Sequence, residues 1–139
     1  MPELETESVH ADRFEKARSA RGSAMLEDYV ELIDDLVTAH GEARTTEIAR
    51  RLGVAHPTAV KVITRLKQRG LATARPYRGI FLTDEGRAMA ERVRARHRCV
   101  VEVLLAIGVP REAAEADAEG IEHYVSDETL KAFEKFVRK

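Results

Sequence analysis

At 139 residues the chain is long enough for one domain with a real core, or for two small lobes sharing a helix. Its 34% charged residues, the lack of any run near the ~18 apolar residues of a membrane span, and a single cysteine suggest a protein of the reducing cytoplasm, with no secretory leader and no internal disulfide. The net charge of −1 conceals a division: residues 44–98 hold 14 Lys/Arg against 4 Asp/Glu, a net of +10, and the remainder is −11, a pattern that suits a polyanion in the middle and cations at the flanks.

In chain order, residues 1–22 have few aliphatics and many charges, and are expected to form a mobile or weakly helical arm. A helix is expected from about Ser23 to His40, with the stripe Leu26, Tyr29/Val30, Ile33 and Leu36/Val37, stopped by Gly41. Thr45, as N-cap, opens a short helix that Gly53 ends. After a tight turn, His56-Pro57-Thr58 starts another, with Val60, Ile63 and Leu66 turned inward and a stop at Gly70. Two short helices joined through a glycine-bearing turn read as a helix-turn-helix. Leu71–Arg75 and Gly79–Thr83, separated by Pro76-Tyr77-Arg78, read as a two-stranded basic hairpin in the position of a wing.

Thr83-Asp84-Glu85 caps a long helix to about Ile107, broken by Gly108. Short helices over Pro110–Asp117 and Ala118–Val125 follow, and Ser126 caps a last one bearing Leu130, Phe133, Phe136 and Val137. About two-thirds of the chain is therefore expected to be helical, a mostly α fold with one hairpin.

Two chemistries follow from the side chains. In the second helix of the pair, Thr58, Lys61 and Arg65 fall at i, i+3, i+7 and share a face suited to the major groove. Thr46, His56 and Pro57 at the two helix starts, with Arg75 and Arg78 on the hairpin, complete the candidate DNA-binding set. On the acidic flanks, Glu119, Glu122 and His123 lie at i, i+3, i+4 of a helix and project together. Asp28 and Glu31 repeat the i, i+3 spacing on the first helix, and His97 interrupts the apolar stripe of the long one. Carboxylates set this close repel unless a proton or metal compensates them. Four carboxylates and two imidazoles without a thiolate form a hard site, suited to Mn²⁺ or Fe²⁺ rather than structural zinc.

The runs Met25-Leu26-Glu27-Asp28-Tyr29-Val30-Glu31, Tyr77-Arg78-Gly79-Ile80-Phe81-Leu82-Thr83, Arg96-His97 and Asp117-Ala118-Glu119-Gly120-Ile121-Glu122-His123 closely resemble the manganese-responsive members of the diphtheria toxin repressor family, over about Ala24 to Val137. The resemblance implies a homodimeric repressor of metal-uptake genes that binds a palindromic operator in double-stranded DNA, with Mn²⁺ as co-repressor at a two-metal site. It implies a winged helix-turn-helix over 23–83 and, over 84–139, a linker helix with a helical dimerisation and metal-binding region. By matched position, Asp28, Glu119, Glu122 and His123 would hold one ion, and Glu31, His97 and Glu119 the other, with Glu122 shared. Iron-responsive relatives carry Met at the position of Asp28 and Cys at that of Glu119, which favours manganese. The chain also leaves no room for the SH3-like domain of longer relatives. Two features depart from the pattern: the arm lies outside the match, and Tyr124 stands where a second histidine is common.

No catalytic residue is assigned, no membrane or small organic substrate is expected, and the chain is not read as an enzyme. A di-iron oxidase would want Glu-x-x-His pairs on two helices of a bundle and leaves the basic middle unexplained. An iron-responsive repressor, or a winged-helix regulator sensing a small organic ligand, is the alternative.

Overall fold

The computed structural model describes residues 3–138. Six helices and one hairpin follow in the order α1 (Glu7–His40), α2 (Thr45–Leu52), α3 (His56–Gln68), β1 (Ala72–Arg75), β2 (Gly79–Leu82), α4 (Asp84–Ala106), α5 (Arg111–Ile121) and α6 (Asp127–Val137).

The larger core is built on one stripe of α1. Leu26, Tyr29, Val30, Ile33 and Leu36 are buried against Ile48 and Ala49 of α2, Ala59, Val62, Ile63 and Leu66 of α3, and Ile80 and Leu82 of β2. Gly41 and Gly53, both left-handed, end α1 and α2 and let the chain reverse. β1 and β2 pair antiparallel in the register Ala72↔Leu82 to Arg75↔Gly79. This hairpin is tied to the connection between α1 and α2 through Ala43, whose carbonyl accepts from Ile80 N at 2.8 Å. Gly79 beside it has φ +96°, and a Cβ there would run into that same Ala43 carbonyl.

The start of α4 is fastened to the same unit. Thr83 Oγ1 accepts from Gly86 N at 3.1 Å and donates to the Gly70 carbonyl at 2.7 Å, while Thr83 N donates to Leu71 O at 3.0 Å. The smaller core lies at the far end of α4, where Val100 and Val101 bury Ala114 and Ala118 of α5, with Leu104, Leu105, Val109 and Phe133 packed around them. Arg94 stitches α4 back to α1 through Asp34 Oδ2 (2.7 Å) and Asp35 Oδ1 (2.6 Å).

Four local expectations are corrected. The first helix begins at Glu7 rather than near Ser23. Thr6 caps it by accepting from Val9 N at 3.2 Å, and no proline interrupts the run, so Gly22 in its interior, a cost of about 1 kcal/mol, is carried by turns on both sides. Thr45 is the first residue of α2, whose N-cap is Arg44 with no side-chain bond. The two helices expected over Pro110–Val125 are one, Arg111–Ile121, because Ala118 stays helical while packing on α4. Val60 points outward, 43% exposed, and Ala59 and Val62 take the inward positions with Ile63 and Leu66.

Candidate metal centre and DNA-reading surface

The acidic residues of α1 fall into two groups with different fates. Asp34 and Asp35 are satisfied by Arg94. Glu31 and Asp28, about one and two turns earlier, turn toward the junction of α4 and α5 instead. His97 comes from the middle of α4, Glu119 from the last turn of α5, and Glu122 and His123 from the turn that follows it.

Within this junction the imidazole of His97 places Nδ1 2.6 Å from Glu122 Oε2 and 3.7 Å from Glu119 Oε1. His97, Glu119 and Glu122 each offer a donor atom within 4.8 Å of the others. His123 Nε2 lies 2.9 Å from Asp28 Oδ1 and 3.5 Å from Glu122 Oε1, which joins this group to α1. Glu31 is close enough to Glu119 to be felt electrostatically: burial first, and then the Glu119 and Asp35 charges, raise its carboxyl above the usual range. The structure thus gathers all six residues singled out from the sequence into one neighbourhood.

Burial sets the electrostatics here. Glu122 is 1% exposed, and desolvation pushes its carboxyl up to about 7 although His97 and His123 stand beside it. Burial alone would lower His123, but Asp28 and Glu27 outweigh it and hold the imidazolium up to about 10. Burial opposes the charged form of His97 too, and Glu115 and Glu122 overcome it, so its pKa is raised.

Despite this density of partners, Glu122 Oε1 and His123 Nε2 are buried without an aligned hydrogen bond. A buried carboxylate oxygen with no hydrogen-bond partner, 3.5 Å from an imidazole nitrogen that itself lies 2.9 Å from Asp28, is what a cation would satisfy. The oxygen and nitrogen donors fit a hard divalent ion, and the thiol of Cys99 is buried elsewhere on α4.

Residues not singled out from the sequence complete the surroundings. Glu27 is 7% exposed and accepts from His123 Nδ1 at 3.2 Å. Arg96 stands 3.6 Å from Glu27 and 3.5 Å from Asp127, linking α1 to the start of α6. Glu115 meets the outer nitrogen of His97. The adjacency of Glu27 to Asp28 was the one available sign.

On the opposite side of the larger core, Thr58, Lys61 and Arg65 are exposed along one face of α3, and Thr46, His56 and Pro57 are exposed at the starts of α2 and α3. Arg75 is set over the ring of Phe81, 4.4 Å from its centroid, so its guanidinium is held on the hairpin face. Arg78 and Tyr77 form the hairpin tip. Tyr77, also not singled out, is 95% exposed with φ +64°, and its carbonyl accepts from the Arg44 guanidinium at 2.8 Å. A helix face flanked by a basic hairpin on a small winged unit has the shape and charge that groove and phosphate contacts require.

Comparison with known proteins agrees with this division. Residues 23–80 match the family described as iron dependent repressor, N-terminal DNA binding domain, and residues 83–139 match iron dependent repressor, metal binding and dimerisation domain. The chain is 47% identical over 137 residues to a protein named transcriptional regulator MntR from Escherichia coli O157:H7, covering 99% of this chain and 88% of that one. Among solved structures it resembles IdeR of T. acidophilum (33% identity, TM-score 0.67, 79% of this chain) and a manganese-dependent transcriptional repressor in complex with manganese (29%, 0.68, 81%). The chain spans about half the length of each of these two, 53% and 52%.

Proposed function

Since the chain belongs to the iron dependent repressor family of metal-dependent, DNA-binding transcription regulators, we propose that it is a manganese-dependent repressor of metal-uptake genes, acting as a cytoplasmic homodimer on a palindromic operator. The carrying observation is the buried, unpartnered Glu122 Oε1 inside an all-oxygen-and-nitrogen cluster contributed by α1, α4, α5 and the turn after α5. Asp28, Glu119, Glu122 and His123 would hold one ion; Glu31, His97 and Glu119 would hold a second, with Glu122 shared. Bound divalent cations would neutralise the facing carboxylates and join the three helices. Thr46, His56, Pro57, Thr58, Lys61, Arg65, Arg75 and Arg78 are assigned to DNA. No residue is assigned a catalytic role.

The functional division we propose is 23–83 for DNA and 84–139 for metal and dimerisation, with residues 1–22 an appendage whose mobility hydrogen exchange would read. α1 crosses this division. It forms the spine of the DNA-reading core and presents Asp28 and Glu31 to His97 and His123. The arrangement supports a linkage in which metal favours one placement of the DNA-reading unit against the dimerisation region, and operator selects the same placement. In the dimer this fixes the separation of two recognition helices, which must match one turn of DNA, roughly 34–36 Å. Ile107 and Phe136, more than half exposed or nearly so at the far end of α4 and α6, supply apolar surface for the partner protomer.

A gel shift on the gene's own upstream region, titrated with Mn²⁺, Fe²⁺ and Zn²⁺, tests the proposal. Wild type is expected to bind with Mn²⁺, and Glu119→Ala to lose the metal dependence while keeping its helical circular dichroism. Unchanged Mn²⁺ dependence in Glu119→Ala would sink the assignment.

A further inference from the structure

His97, like His123, has a carboxylate on each side, and one of its two partners, Glu115, stands outside the six-residue cluster. Its Nδ1 faces Glu122 and Glu119, at 2.6 and 3.7 Å. Its Nε2 lies 2.7 Å from Glu115 Oε2, outside the group of three that converges on Nδ1. Glu115 stands one turn before Glu119 on α5, and Arg111, a further turn back, reaches its other oxygen at 3.6 Å. A salt-bridged carboxylate is thus presented to the side of the ring that points away from the cluster.

A neutral imidazole carries one N–H, and which nitrogen holds it is set by the partner of the other. A carboxylate on Nε2 can only accept, so Glu115 favours the proton there. Glu122 competes for it from the Nδ1 side until a cation takes its oxygens, and the Nδ1 lone pair then faces the site. Glu115 also fixes the ring plane, since rotating the ring by half a turn would replace Nδ1 by a carbon. Resting on the metal-binding reading above, we propose that Glu115 is a positioning residue for His97, selecting the Nε2–H tautomer and aiming Nδ1 into the metal site. Carboxylates in this relation to a ligating histidine are worth roughly 10–100-fold in metal affinity. Glu115 is 47% exposed, and water competes with it, so the lower end of that range applies.

Two readouts on the full-length protein test this. Nitrogen-15 spectra of the ring, recorded without metal above the titration of His97 and assigned by comparison with His97→Gln, report the tautomer. Calorimetry with Mn²⁺ reports affinity at each site. Wild type is expected to hold a substantial Nε2–H share against the competition of Glu122. Glu115→Ala is expected to shift the ring toward Nδ1–H and to weaken the His97-dependent Mn²⁺ by about tenfold. Glu115→Gln keeps an acceptor and is expected to restore the tautomer and part of the affinity, and Arg111→Ala to lose a smaller part than Glu115→Ala. A wild-type tautomer in Glu115→Ala would overturn the proposal, as would equal losses in the Ala and Gln variants. A wild type that binds no Mn²⁺, yet shows a tautomer that Glu115→Ala loses, would refute the metal-sensing function and support the positioning role.

Discussion

Burial raises the Glu122 carboxyl to about 7 and the charges of Asp28 and Glu27 raise His123 to about 10, so the metal-free site holds protons across neutrality. Both groups have folded values above their ordinary 4.5 and 6.5, so both contribute less to stability as pH rises. For Glu122 the loss runs from about 4.5 to 7, and for His123 from about 6.5 to 10. A metal ion needs the same groups deprotonated. Thermal melts across this window should show a metal-free protein that weakens with rising pH and an Mn²⁺-induced rise in Tm that grows with it. Glu122→Gln removes the cost of ionising a buried carboxyl. Above neutrality it should melt, without metal, at or above wild type, yet gain nothing from Mn²⁺. Five of the cluster residues were readable in the sequence because helical spacing places Asp28 with Glu31, and Glu119 with Glu122 and His123; the sixth, His97, showed because it interrupts an apolar stripe. Glu27 and Glu115 were not, because what defines them is a partner 96 or 18 residues away. In the sequence each is one more acid on a charged helix.

The hairpin and α3 were legible for a similar reason, since Gly53, Gly70 and the basic run mark their ends. What periodicity could not show is that the hairpin is anchored outside itself, on Ala43. Gly79→Ala forces a Cβ onto that carbonyl in a left-handed backbone conformation, a strain on the order of 1–3 kcal/mol. Its expected phenotype is selective: operator affinity falls in gel shifts, while Mn²⁺ calorimetry is unchanged because the cluster lies on the other side of α1. Arg78→Ala at the hairpin tip should weaken binding to all sequences alike and lower the salt slope of log K by about 1, the signature of one lost phosphate contact. The ends of α1 and α5 were harder to place. A stretch poor in aliphatics gives no apolar stripe, yet the Thr6 cap and a proline-free run carry α1 back to Glu7 in spite of Gly22. In α5, Ala118 is too small to mark a face until α4 is seen covering it.

Across the molecule, the two cores are joined by α4 along its length and by α1 through Arg94, Asp28 and His123. The sequence already set the core stripe and the pair Asp28 and Glu31 on one helix; the structure adds that this helix runs unbroken from Glu7 to His40. That continuity makes α1 a phased element. Each residue turns the helix by about 100°. Leu26, Tyr29, Val30 and Ile33 must face the core at the same phase that aims Asp28 and Glu31 at the histidines. One alanine inserted after Glu31 would leave the acids and the distal half of the stripe about 100° out of step, so operator binding should lose its Mn²⁺ dependence or the fold should fail to melt cooperatively. The same alanine inserted after Gly22 rotates only the first turns, and metal-dependent binding in a gel shift should survive it. Length changes in this protein are therefore tolerable on one side of Ala24 and ruinous on the other, a boundary set by angular register rather than by where either domain begins.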